Sequence, residues 1–387
     1  MLITCAAACG LALLLVGEGD RTESPAAMRT APPVRPMPPA RYRVPRAAVR
    51  VSTSRQLHAA LAHTARRTIV VAAGTYESRR PFLNPNGHRI YAARRGRAVL
   101  RAGLSLGGNR GRPGALVRGL VLDIDEPRRT VDGAAIAVWG AGRDVRILDT
   151  VLRGNGVTPA GISAHQPEGL DIRRVVVRRF TDFGIFVDAN ELGREALSSP
   201  FRIQDADVEQ VARSDPGSSN GRAEACIWIG NTGSVRRVRA RSCGWTGLWT
   251  GTATQRARVD GLDVDAAPTG VYIEHFTSDS TFRRLRIGPG VRVGLTAEWA
   301  DPAWDRRPAS VGNLIELSHF SSWLVGVYLD EGTTATTVRR STFAHQSWAA
   351  IGDYRGNANA YHGNDYSGVD EGAVAVSRDH ISSARGR

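Results

Sequence analysis

Three carboxylates stand at one position of a recurring phrase. Glu274 follows Gly-Val-Tyr-Ile, Asp330 follows Gly-Val-Tyr-Leu, and Glu298 follows Gly-Leu-Thr-Ala, so each lies four places after a small residue. At the fifth place stand His275, Trp299, Glu331 and Arg355. If these phrases are neighbouring strands, the acids form a column with rungs about 4.8 Å apart. Two carboxylates at that spacing repel by about 3 kcal/mol at an effective dielectric near 20. Such a column needs a bound cation, an adjacent His or Arg, or a carboxyl held protonated by a raised pKa. Those are the requirements of acid–base catalysis and of Ca2+ binding. The candidate catalytic set is Glu274, Glu298, Asp330, His275 and Arg355, and the three acids are also the candidate Ca2+ ligands. Taken singly, an acid at a strand end has a plainer role, capping turn amides. His275 alone is as readily a surface residue as a base.

The phrase also carries aromatics. Small residues followed by an aliphatic open it at Ala135, Gly161, Gly184, Cys226, Gly247, Gly270, Gly294, Gly326 and Ala350. Side chains alternate across a strand, so with the aliphatics at places one and three inward, places two and four face out. Place two reads Ala137, Ser163, Phe186, Trp228, Trp249, Tyr272, Thr296, Tyr328 and Gly352: five aromatics in nine, in a chain that is 6% aromatic. Place four reads Trp139, His165, Asp188, Gly230, Gly251, Glu274, Glu298, Asp330 and Tyr354. Aromatic rings stack on the apolar faces of sugars, and carboxylates accept hydroxyl hydrogen bonds. Phe186, Trp228, Trp249, Tyr272, Tyr328, Trp299, Asp188 and Glu331 are therefore the candidate glycan-binding residues. The bland alternative is a stacking ladder that only stabilises neighbouring strands.

The elements that position these residues follow from the spacing. Six of the eight intervals between phrases fall between 21 and 26 residues, and the two long ones contain hydrophilic insertions at 189–200 with 213–224, and at 299–310. Each unit holds a second apolar segment, such as LDIRRVVV, FRRLRI or TVRRSTF, with Gly or Asn at the corners. Short strands at a fixed period stack as a solenoid, each coil burying its inward residues on the next. Upstream, Thr53 and Gln56 have capping-box spacing, and Leu57, Ala60, Leu61 and Ala65 share one helical face ahead of a strand at 68–72. Asp353 falls at an inward place, which means either a slip in the last coil or a cap on the stack.

With these features the chain resembles the right-handed parallel β-helix proteins, the pectate-lyase-like superfamily, over roughly residues 49–368. The resemblance implies an all-β, right-handed parallel β-helix solenoid with a short N-terminal capping helix. The aromatic and acidic face points to an exported, polysaccharide-degrading enzyme: a glycoside hydrolase using two acids of the column, or, as the resemblance to pectate lyases implies, a Ca2+-dependent lyase with Arg355 or His275 as base. The alternative is a non-catalytic cell-surface protein that binds glycan along the same face.

Composition bounds the rest. With 387 residues and 42% hydrophobic content the chain is long enough to bury a large core. A net charge of +14 invites an anionic partner, yet all 51 basic residues are Arg, a bias that reflects genome composition as much as function. The pairs Arg173–Arg174, Arg236–Arg237, Arg283–Arg284 and Arg339–Arg340 read as a solvated basic face away from the acids. No groove-entering element accompanies them, so nucleic acid is not expected. Residues 2–16 form an apolar run too short to span a bilayer but long enough for a secretory leader. The expected organisation is a leader at 1–22, a Pro/Arg-rich linker at 23–48 and a β-helix domain at 49–387, in a secreted or cell-surface protein that meets a membrane only through its N-terminal segment. Cys226 and Cys243 then either pair or remain buried thiols.

Overall fold

The computed structural model describes residues 44–107, 114–139, 144–167, 169–188, 200–212, 224–230, 232–251, 254–274, 276–297, 310–354, 358–369 and 373–377. The expected leader, most of the linker and most of each insertion lie outside these residues.

From Val49 the chain winds as a right-handed parallel β-helix. A representative coil runs from Ala134–Val138 on the first face to Arg146–Leu148 on the second, Val151–Arg153 on the third, and back to the first at Ala160–His165. Every strand then pairs in parallel with its counterpart one coil away. Inside, Ile136, Ile162, Ile185, Ile227, Leu248, Val271, Leu295, Val327 and Ile351 follow one another in unbroken register. All nine are 0% exposed. Place one of the repeated phrase is thus the spine of the core, and burying each such side chain stabilises the fold by about 1.5–3 kcal/mol.

The small residue that opens each phrase has its own steric cause. A Cβ added at Gly161, Gly184, Gly247, Gly270, Gly294 or Gly326 would lie 2.3–2.8 Å from a carbonyl oxygen of the next coil. The same Cβ would press on core side chains such as Val177, Val208 or Phe343. Cys226 occupies this place in one coil, and its sulfur bonds to Cys243 with the Cα atoms 5.5 Å apart. The open alternative between pairing and free thiols is thereby settled as a disulfide.

Between the second and third faces the chain turns through a two-residue corner whose first residue has positive φ. Asp149, Arg174, Asp205, Arg237, Arg284, Leu317 and Arg340 hold φ between 50° and 54°, a region in which side chains other than Gly, Asn and Asp are disfavoured. The coil-to-coil ladder fixes them there, since each N–H in turn, as at Arg174 to Gln204, donates to the next coil. This corner corrects the expected basic face. Arg118 and Arg174 both bind Asp149 (2.7 and 2.6 Å), Arg237 binds Asp205 through both oxygens (2.6 and 3.0 Å), Arg284 binds Asp260, and Arg339 binds Glu316 at 2.8 Å. The carboxylates come from the adjacent coil, so stacking creates ion pairs that are distant in sequence. Burial would raise the Asp149 carboxyl, but hydrogen bonds from Arg174 and Arg118 outweigh it and hold it below the usual range. The Asp149 bond in turn raises Arg174, and the Asp205 bond raises Arg237.

The capping helix is Ser54–Leu61, with the Thr53 side chain accepting from the Gln56 amide at 3.2 Å. Leu57, Ala60 and Leu61 are buried over the first coil, whereas Ala65 lies beyond the helix and is exposed. The helix therefore stops one turn short of the expected apolar stripe. Beneath its end His88 is fully buried, its Nδ1 accepting from the Arg67 amide (2.9 Å) and its Nε2 facing the Leu61 carbonyl (3.0 Å).

Candidate functional site

The first face carries the aromatic column. Ser163, Phe186, Trp228, Trp249, Tyr272, Thr296, Tyr328 and Gly352 are register partners on successive coils. Their rings form a connected row. Trp139 stacks on His165 at 4.6 Å, His165 meets Phe186 at 5.4 Å, and Phe186 stacks on Trp228 at 4.5 Å. Trp228 then meets Trp249 edge-on at 6.3 Å, and Trp249 meets Tyr272 at 5.6 Å. Thr296 interrupts the row before Tyr328, which has Trp348 at 6.2 Å.

Glycine at place four makes this arrangement possible in one coil. A Cβ on Gly251 would lie 2.0 Å from the Trp228 ring, so the indole occupies the space a side chain would take. The missing acid in that coil is thus the seat of an aromatic.

Phe186, Trp228 and Trp249 are half-buried, but Tyr272 is 7% and Tyr328 4% exposed. The expectation that both tyrosines present open rings is corrected. Place two does face outward, yet Trp245, in the turn before the neighbouring strand Thr246–Thr250, lies 4.6 Å from Tyr272, and Trp348, in the turn before the neighbouring strand Ala349–Tyr354, covers Tyr328. Pleat alternation gave the direction and gave nothing about what folds over it.

Of the carboxylates, Glu274 is half-buried at the end of Ala267–Ile273, and its Oε2 accepts from Trp249 Nε1 at 3.1 Å. The acid is thus tied directly to the aromatic row. Asp330 is 7% exposed, and its Oδ1 accepts the Glu331 amide at 2.8 Å, the turn-capping geometry that Asp favours. The residues before the three acids, Ile273, Ala297 and Leu329, are in register. Glu298, His275, Trp299 and Arg355 lie outside the described residues. Among the described residues no three carboxylate, imidazole or thiolate groups converge as a metal site. Glu274 and Asp330 alone fall short of the six to eight oxygens Ca2+ takes.

Asp353 keeps its register with Leu329 and is 2% exposed, so the last coil does not slip. Its carboxylate accepts from Tyr361 Oη at 2.5 Å and from Asn359; burial, reinforced by this bond, holds the Tyr361 hydroxyl far above its ordinary range.

The described residues also bring together a group the sequence reading passed over. Ser163 Oγ lies 3.0 Å from His165 Nε2 on one strand, and His165 is the register partner of Asp188 on the next. The alternation rule places all three on this face, but a lone His at an outward place carries no spacing that singles it out. Its ring belongs to the aromatic row.

Among solved structures the chain is similar to the A-module of the mannuronan C-5 epimerase AlgE4 of Azotobacter vinelandii, at 13% identity over 84% of this chain and 98% of that one, with a TM-score of 0.50. The fold is that of the parallel β-helix proteins. The A-module of AlgE6 from the same organism is also similar, at 16% identity over 83% of this chain and 93% of that one, with a TM-score of 0.48. No protein-family model and no curated protein matches the sequence.

Proposed function

We propose that this β-helix is an exported, polysaccharide-degrading enzyme that takes a glycan along its first face. The observation that carries the reading is the row of rings from Trp139 to Tyr272 that meets a carboxylate, Glu274, through the Trp249 indole. Aromatic faces supply sugar-ring contact, and a carboxylate fixed among them supplies acid–base chemistry beside the chain. A disulfide at Cys226–Cys243 suits an oxidising compartment, in keeping with the apolar leader.

Glu274 and Asp330 stand two rungs apart, about 9.6 Å between their backbones. Inverting hydrolases hold their two carboxyl groups about 6.5–9.5 Å apart, one protonating the leaving oxygen and the other activating water, and two acids of this column are the candidates for those roles. In a lyase the proton next to a uronate carboxyl is taken by His275 or Arg355 instead. The AlgE4 module is named for action on mannuronan, which makes a uronate polymer the first substrate to try. Ca2+, if bound, would neutralise the uronate carboxylate at Glu274, Glu298 and Asp330.

The capping bond at Asp330 favours a second reading, a glycan-binding protein without chemistry. One experiment separates them: the purified chain is incubated with neutral and uronic-acid polysaccharides, with and without Ca2+. New reducing ends identify a hydrolase, unsaturated product absorbance a lyase, and binding without product the non-catalytic protein. Absence of both binding and product across the panel refutes the glycan reading.

A further inference from the structure

The second face carries a feature that the aromatic face does not explain. Arg146, Asp171, Arg202, Ser234 and Arg258 are register partners on five successive coils. Their neighbours Ile147, Ile172, Ile203, Val235 and Val259 are buried, so this rank faces outward. Long and short side chains alternate along it, which leaves arginines on every second rung and recessed rungs between. The rank borders a groove of about 660 Å³ that also takes in Arg173, Arg256, Asp144, Thr232 and Gly233.

Charge in this groove is uneven. Five of its lining residues are Arg and two are Asp. Asp171 binds Arg173 on its own strand at 2.6 Å. Arg146, Arg202, Arg256 and Arg258 are exposed and make no side-chain hydrogen bond or ion pair among the described residues. The contrast with the corner beside it decides the reading: there carboxylates on adjacent coils meet Arg174, Arg237, Arg284 and Arg339 one by one. What sets the rank apart is its place: these unpaired guanidiniums line one groove in register, where an external anion can meet several of them at once.

We infer that this groove is a second binding site, an anchor for a carboxylated polysaccharide, on a face separate from the aromatic row. Guanidinium forks match carboxylates in two-point geometry. Arginines two rungs apart are spaced by about 9.6 Å, comparable to the repeat at which an extended polyuronate presents carboxylates on one side. The lining offers no exposed ring, since Phe201, its one aromatic, is 2% exposed, so it lacks the stacking platform of single-stranded nucleic-acid sites. The choice of polymer rests on the proposed glycan activity; the anion site itself does not.

The test uses the full chain with polymannuronate, a neutral glucan and double-stranded DNA as probes, titrated at several salt concentrations. Arg146→Gln/Arg202→Gln/Arg258→Gln is compared with Arg94→Gln/Arg95→Gln/Arg97→Gln, which removes the same charge from exposed residues elsewhere. The groove variant is expected to bind polymannuronate at least about tenfold more weakly at low salt, with the slope of log affinity against log salt reduced by about two to three. The control variant stays near the parent. Equal weakening by both variants, or by neither, overturns the site. Tighter binding of DNA than polymannuronate, lost in the groove variant, overturns the ligand class. Trp249→Ala is measured alongside: a loss confined to that variant overturns the groove alone, and a loss confined to the groove variant overturns the aromatic reading alone.

Discussion

Replacing Asp149 by Asn isolates one charge in the corner ladder. Asn tolerates the positive φ of 53° at this position as Asp does, and it has nearly the same shape, so backbone and packing persist. The Asp149 side chain is 0% exposed, and its partners Arg118 and Arg174 are 19% and 16% exposed, so water does little to replace the lost partner. Removing one member of a buried pair leaves the other charge uncompensated, at a cost of about 3–5 kcal/mol. The arginines here keep some solvent, so the lower end of that range, about 3 kcal/mol, is the expected loss. Asp260→Asn is the internal comparison, because Arg284 is 52% exposed. Its loss should stay below about 1 kcal/mol. The assay is the unfolding free energy from urea titration across pH. Because the folded Asp149 carboxyl lies below its unfolded value of about 3.9, its contribution is complete above that pH and disappears as pH falls through the lower, folded value. The difference between parent and Asp149→Asn should accordingly be constant near neutrality and shrink in acid. Equal losses for Asp149→Asn and Asp260→Asn, or a difference that persists undiminished in strong acid, would refute the assignment of stability to a buried charge pair.

Trp249→Ala should weaken oligosaccharide binding by about 1–3 kcal/mol in calorimetric titration, and Gly251→Ala should reproduce part of that loss by displacing the Trp228 ring; unchanged affinity in both reduces the row to scaffolding. Gly270→Ala places a Cβ 2.4 Å from the Gly294 carbonyl and should lower stability by about 1–3 kcal/mol, whereas a neutral result in thermal unfolding would contradict the close approach of coils there. Burial, partly opposed by the bond to the Leu61 carbonyl, lowers the His88 pKa, and burial also lowers those of His58 and His319. Their stabilising contribution is present above the ordinary His value of about 6.5 and is lost as pH falls below it, so urea midpoints should drop between about pH 7 and 5; a flat or rising profile contradicts neutral buried imidazoles.

The repeated phrase determined the fold and its register. A period of small residue, aliphatic, outward residue and aliphatic is legible because each coil must bury the same places against the next, which is why Ile136 to Ile351 emerged as one spine. The outward direction of Trp228, Trp249 and Glu274 followed from the same alternation. Only the tertiary structure decided what lies over and beside those residues. Trp245 and Trp348 cover the tyrosines from turns whose path the period does not specify. Asp149 meets Arg174, and Asp205 meets Arg237, because stacking brings together residues 25 and 32 positions apart. Pairing of Cys226 with Cys243 needs the small-residue place, outward by simple alternation, to face the core, and both cysteines are buried there. A sequence period fixes one coordinate per residue, inward or outward; contacts between coils and across turns need the other two.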